Sequence, residues 1–271
     1  MVLNPCGDIV WKSEPLRFHH SIHLDENMDL WAWRATKYDI GHYQFMSQVN
    51  GETGELLKEV SLIDDIIKQQ PGSHLTFSLP EYYEFQKFLG DRRPAREYDI
   101  FHVNDLEPLR SDMADAFPLF EAGDLLASFR ESNLVAVFDG DDYTIKWSQH
   151  GPWRLQHDAD FNPDGTISLF SNNQPWGGSD IMVVEPVTRE VSRPWASEEA
   201  KFYATSGGKH QILPNGSVLL SATQQGRVLE IAPGGELVME YVNLVSPGTV
   251  GRLQNVMWFP LDFFDELPSC S

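Results

Sequence analysis

Cysteine is almost missing from this chain. There are two, Cys6 and Cys270, near opposite ends of 271 residues. They spell no metal motif, and the sequence leaves open whether they stay free or join the two ends. No run of eighteen apolar residues occurs, so no helical membrane span is predicted. The N-terminal stretch MVLNPCGDIVWKSEP lacks the basic head and apolar run of a secretory signal. No GxxxxGK loop is present, so nucleotide use is not indicated. Basic residues are scarce: 20 Lys and Arg stand against 40 Asp and Glu, a net charge of −20. Such a surface repels nucleic acid and anionic membranes. An anionic ligand would need positive charge built into its own site.

What the chain has instead is many short strands. DLWAW, YQFMSQV, LLASF, LVAVF, TISLF, IMVVE, SVLLSA, RVLEI and ELVMEY are rich in β-branched and aromatic residues. Turn pairs separate them: Asp139-Gly140, Asp164-Gly165, Asn215-Gly216 and Gly234-Gly235. The strands group in fours. Residues 157–195 and 208–242 each show four, residues 102–148 show four with an insertion, and residues 20–62 show a looser set. Four-strand units recurring at roughly 40 to 50 residues are the signature of β-propeller blades. The expected fold is therefore all-β, a single propeller domain over residues 1–271 with about five to six blades. Residues 2–12 and 253–264 are expected to share one blade, as outer and inner strands. Two insertions, about 64–98 and 108–122, interrupt the pattern. The first is expected to hold a short helix, Glu81 to Leu89, and either could serve as a lid or as surface decoration.

Histidines recur at the heads of the innermost strands. Overlaying LQHDADFNPDGTISLF on FHHSIHLDENMDLWAW without gaps sets His157 on His20 and Phe170 on Trp33. His102 heads the inner strand between them. In a propeller the inner strands line the channel, so His20, His102 and His157 are expected at one mouth. Arg130 ends the returning second strand and joins them, and Asn172 occupies the matching place one blade on. Asn104 and His210 have the parity of the channel face, with His210 one layer deeper. His23 has the opposite parity and is expected between blades. Imidazole can act as nucleophile or as general acid or base, and Arg is a fixed cation whose planar fork matches oxyanions. Three imidazoles and a guanidinium suit transfer of an anionic group: one neutral His attacks, a second, charged His protonates the leaving oxygen, and Arg holds the transferred oxygens.

At these residues the sequence resembles the arylsulfotransferase family of propellers, enzymes that draw on a phenolic sulfate ester and not on a nucleotide sulfate. The resemblance lies in YDIFHVNDLEPL, GDLLASFRESNLVAVFD, IKWSQHGPWRLQHDADFNPDGTISLFSNN and HQILPNGSVLLSATQQGRVLEI, and extends across most of residues 8–243. It implies that His157 is a nucleophile forming a sulfohistidine, with His102 and Arg130 binding and polarising the sulfuryl group and His20, chosen over His19 by the overlay, as a fourth member. Asn104, Asn172 and His210 are substrate-binding candidates. An aryl sulfate and a phenol are the implied small-molecule partners, with no cofactor and no metal. The family resemblance implies export, while this N-terminus shows no leader. Phe101, Trp153, Phe170 and Trp176 could stack on an aryl group or pack between blades. Two other readings compete. Several imidazoles could hold a catalytic metal, against which the nearby Arg130 argues. The propeller could also be a binding scaffold without turnover.

Overall fold

The computed structural model describes residues 1–12, 17–35, 43–75, 101–175, 177–263 and 270. Four antiparallel sheets of four strands carry the architecture, each a simple up-and-down meander. The first blade is β3 (Arg17–Leu24), β4 (Leu30–Ala35), β5 (Tyr43–Val49) and β6 (Leu56–Ser61). The second is β7 (Val103–Pro108), β8 (Leu125–Phe129), β9 (Leu134–Phe138) and β10 (Ile145–His150). The third is β11 (His157–Phe161), β12 (Ile167–Ser171), β13 (Asp180–Val184) and β14 (Val191–Ser192). The fourth is β15 (Lys209–Ile212), β16 (Val218–Ala222), β17 (Arg227–Ile231) and β18 (Leu237–Val242). Two small sheets bring the number among the described residues to six: β1 (Val2–Leu3) with β2 (Ile9–Trp11), and β19 (Leu244–Ser246) with β20 (Thr249–Val250). The chain is an all-β propeller of four-stranded blades, as the spacing of its strands requires.

Period-two alternation explains how the blades stack. In β8, Leu125, Ala127 and Phe129 face the first blade, while Leu126 faces the third. In β12, Ile167 and Leu169 pack toward the second blade, and Phe170 toward the fourth. Each central strand is thus apolar on both faces, and LLASF, LVAVF, ISLFS and VLLSA are buried along their whole length. Each fully buried Leu or Phe contributes about 1.5–3 kcal/mol of transfer free energy, so the blade-to-blade seams are the main hydrophobic term. Phe101, Trp153 and Phe170 belong to these seams, each no more than 2% exposed, and are not free to stack on a ligand. Trp176 lies outside the described residues.

The insertions also feed the core. Of the first, the described part opens with a π-helical turn, Leu62–Ile67, whose Ile63, Ile66 and Ile67 are buried in the first seam. The expected helix from Glu81 to Leu89 falls outside the described residues. The second holds a one-turn helix, α1 (Ser111–Ala114), followed by Phe117 and Phe120 in the second seam. The chain ends depart from the expected shared blade. Residues 251–260 form no strand. They run beside β15, where the Gln211 amide accepts from the Trp258 N–H at 2.8 Å and donates to its carbonyl at 3.3 Å. One side chain here does the work of a ladder. Cys6 and Cys270 form a disulfide, which resolves the question their spacing left open.

Candidate active site

Each of the first three inner strands carries an irregularity, near the head in β7 and β11 but in the middle of β3, so His20 lies within its strand and not at its head as expected. Pairing register slips between His19 and His23, between Val103 and Asp105, and between His157 and Asp160. Beside these slips stand residues with left-handed backbone: His20 (φ 59°), His102 (φ 40°) and Asp158 (φ 55°). In the fourth blade Gly208 takes φ 96°, where no Cβ opposes it. A non-glycine residue in this region costs about 1–2 kcal/mol. A bulge with such a residue re-aims side chains that a regular strand would alternate. The register also revises the overlay. His19 pairs with Trp33 as His157 pairs with Phe170, so His19 is the strict equivalent of His157, and His20 that of Asp158.

The bulges bring four imidazoles together. The His20 ring lies 3.9 Å from His19, 5.3 Å from His102 and 5.1 Å from His157, centre to centre. His20 Nε2 and His102 Nε2 are 3.2 Å apart, within hydrogen-bond reach. His19 directs Nδ1 at the Val103 carbonyl at 3.1 Å.

His157 is the most constrained of the four. It is 3% exposed. Its Nδ1 faces two acceptors, Asn172 Oδ1 at 2.7 Å and the Leu155 carbonyl at 3.1 Å. The Asn172 amide nitrogen donates to the Ala204 and Gly207 carbonyls, which fixes its oxygen toward the ring. Nδ1 must therefore carry the proton. Nε2 is then a lone pair, and the Gly207 N–H approaches it at 3.3 Å. The structure thus gives Asn172 to His157: both ends of its amide are engaged.

Electrostatics keep these rings neutral. Burial pushes His157 down to about 4, against the raising effect of Asn172. Burial, then the Arg130 charge, push His102 down to about 3. Burial and the adjacent His19, His157 and His102 hold His20 far below the ordinary histidine range. Burial lowers His19 as well. Burial and neighbouring charge thus favour the neutral form of the rings at the mouth, against the charged imidazole expected from sequence. Fixed positive charge comes from Arg130, whose Nη1 pairs with Glu131 while its buried Nε has no hydrogen-bond partner among the described residues.

One layer deeper the arrangement reverses. Lys209 Nζ bonds to an Asp158 carboxylate oxygen, donates to Ser21 Oγ at 2.6 Å, and lies 3.6 Å from Asp105. His210 donates its backbone N–H and points Nδ1 at Asp158 Oδ2, at 2.5 and 2.8 Å, and its Nε2 meets Ser168 Oγ at 2.7 Å. His23 Nε2 meets Asp105 Oδ1 at 2.6 Å, tying the first blade to the second, and His23 also lines the cavity, where its parity had placed it only between blades. Although burial opposes charge, the Asp105 carboxylate pushes His23 up to about 9. His210 is likewise raised by Asp158 against its burial. Burial and neighbouring carboxylates also push Glu107 up to about 8 and Asp160 to about 7. His210 therefore has both ring nitrogens occupied, and it lines the cavity below the mouth. Asn104 Nδ2 donates to the Gln156 carbonyl at 2.6 Å, and its buried Oδ1 has no partner among the described residues.

Sequence reasoning missed Lys209, Asp158 and Asp105. A lysine at a strand head after two glycines, in so acidic a chain, was the available signal. A cavity of about 930 Å³ opens along these strands, lined by His20, His157, Lys209, Asp160, Met257 and Trp258 among others.

Comparison with known proteins adds one firm result. A family model described as Arylsulfotransferase (ASST) matches residues 1–244. A search of curated proteins finds no match. Similar solved structures include virginiamycin B lyase from Staphylococcus aureus, 11% identical, with a TM-score of 0.44 over 85% of this chain and 56% of that one. BamB from Moraxella catarrhalis is 9% identical, with a TM-score of 0.39 over 93% of this chain and 68% of that one. This chain thus spans little more than half the length of the lyase. Likeness this distant transfers no activity.

Proposed function

The chain belongs to the arylsulfotransferase family, and from that premise we propose that it moves a sulfuryl group from a phenolic sulfate ester to a phenol, with His157 as covalent nucleophile. The observation that carries this reading is the locked tautomer: Asn172 and Leu155 hold the proton on Nδ1, leaving Nε2 as a lone pair at neutral pH.

In the first half-reaction Nε2 attacks sulfur, and the sulfur–aryl oxygen bond breaks with its electron pair leaving on the aryl oxygen. That oxygen takes its proton from the member of the His20–His102 pair that the bound anion has charged. Arg130 offers its unpartnered Nε–H and its charge to the sulfuryl oxygens. The bound anion itself favours charging of the imidazoles beside it. In the second half-reaction the acceptor phenol returns a proton to the same pair, its oxygen attacks sulfur, and the N–S bond breaks, restoring the Nε2 lone pair. The aryl group has room in the adjoining cavity beside Met257 and Trp258, both partly exposed. The phenylalanine and tryptophan candidates within the seams do not serve it.

Nitrophenolate release from 4-nitrophenyl sulfate in the presence of phenol tests the reading. Release that requires phenol and falls by at least about a thousandfold in His157→Ala supports it. A folded His157→Ala protein that still transfers at full rate overturns it.

A further inference from the structure

We propose that His19, His20 and His102 form a binding site for a borderline divalent transition-metal ion, with Zn²⁺ the fitting probe, and that occupancy blocks sulfuryl transfer. The binding part stands on geometry alone; the inhibitory consequence rests on the proposed function. Each of the three rings offers a ligand nitrogen, and these atoms all lie within 4.8 Å of one another. His20 Nε2 and His102 Nε2 are 3.2 Å apart. Two ligands at 2.0–2.1 Å on a tetrahedral zinc ion stand about 3.3 Å apart, so this pair already has the spacing of two vertices. The third ring is prepared in the manner of a metal ligand. His19 donates Nδ1–H to the Val103 carbonyl, which leaves its Nε2 as the lone pair and fixes the ring plane.

Binding needs no net proton release. In the metal-free site one of the paired nitrogens donates to the other; on binding, the donor ring shifts that proton to Nδ1 and both Nε2 atoms turn to the ion. His20 is exposed, so water can supply a fourth ligand. The objection that a guanidinium repels a dication is weakened here, because Glu131 pairs with Arg130. Lys209 is likewise matched by Asp158 and Asp105. Imidazole ligands select zinc-like ions over calcium, which takes oxygen. An ion on His20 and His102 removes the N–H that meets the leaving oxygen.

The experiment is calorimetric titration of the full chain with Zn²⁺, and separately with Ca²⁺, for wild type, His19→Ala and His19→Gln. His19 is outside the proposed transfer machinery, and Gln keeps an N–H for the Val103 carbonyl if Ala disturbs folding. Visible absorption of bound Co²⁺ reports whether the site is tetrahedral. The expected result is one equivalent of Zn²⁺, bound at least about tenfold more weakly in both variants and undisturbed by Ca²⁺, with zinc suppressing nitrophenolate release in wild type and not in the variants. Absence of saturable Zn²⁺ binding, undiminished binding in the folded variants, or displacement by Ca²⁺ overturns the site. Since titration reads binding without turnover, a protein that transfers no sulfuryl group but binds zinc sinks only the functional reading.

Discussion

Two layers of histidine lie one above the other in this channel, and they differ in almost everything but residue type. At the mouth, His19, His20, His102 and His157 crowd together, and all four are held below the ordinary histidine range. One layer down, His23 and His210 each bond to a buried aspartate and are raised above it. Burial opposes charge in both layers. The presence of Asp105 and Asp158 decides the sign. The neutral layer is suited to chemistry, and the charged one braces the strands that position it.

That contrast can be broken from below. Lys209→Met leaves Asp158 and Asp105 without their shared cation, and removing one partner of such a buried set costs about 3–5 kcal/mol. Urea denaturation should show a loss of that size. A loss under 1 kcal/mol would mean the deeper layer braces little.

A smaller effect is expected from loosening the upper layer. Asn172→Ala removes the stronger acceptor of the His157 Nδ1 proton. We expect kcat/KM for aryl sulfate to fall about 10- to 100-fold, roughly 1.4–2.8 kcal/mol, with stability changed less than by Lys209→Met. Nitrogen NMR of the imidazoles should show His157 losing its single tautomer. An unchanged tautomer with unchanged kinetics would remove Asn172 from the site.

The mildest probe is pH, and the two layers should respond in opposite senses. His157 titrates near 4, below the ordinary 6.5. Activity should therefore persist on acidification and fall only toward pH 4. The stability contributed by keeping this ring neutral is present above 6.5 and is lost as pH drops toward 4. His23 titrates near 9. Its contribution is complete below 6.5 and fades as pH rises through 9. A kcat/KM profile with its acid limb at 6.5 would contradict the first expectation. Histidine NMR titration that finds His23 neutral at pH 8 would contradict the second.

Much of this was legible in the linear chain. Alternating apolar residues with Gly-containing turns specify hairpins, and hairpins that are apolar on both faces must stack, so the blades follow from local pattern alone. The same pattern placed His20, His102, His157 and Arg130 at strand ends without contact information. Three things were not legible. The overlay matched His20 to His157 because it counted residues, whereas bulges at the strand heads change the register without changing the count. Residues 253–264 read as a strand from their apolar content, but a strand needs a ladder partner, and here a glutamine side chain supplies the contact. The charge of each histidine could not be read at all. The sequence by itself determined the blade repeat and pointed to His20, His102 and His157 at one end, but passed over His19. Only the tertiary structure decided which of them stand beside a carboxylate, because those partners come from other blades, some 50 to 80 residues away, and at close range a buried carboxylate sets the sign of the shift.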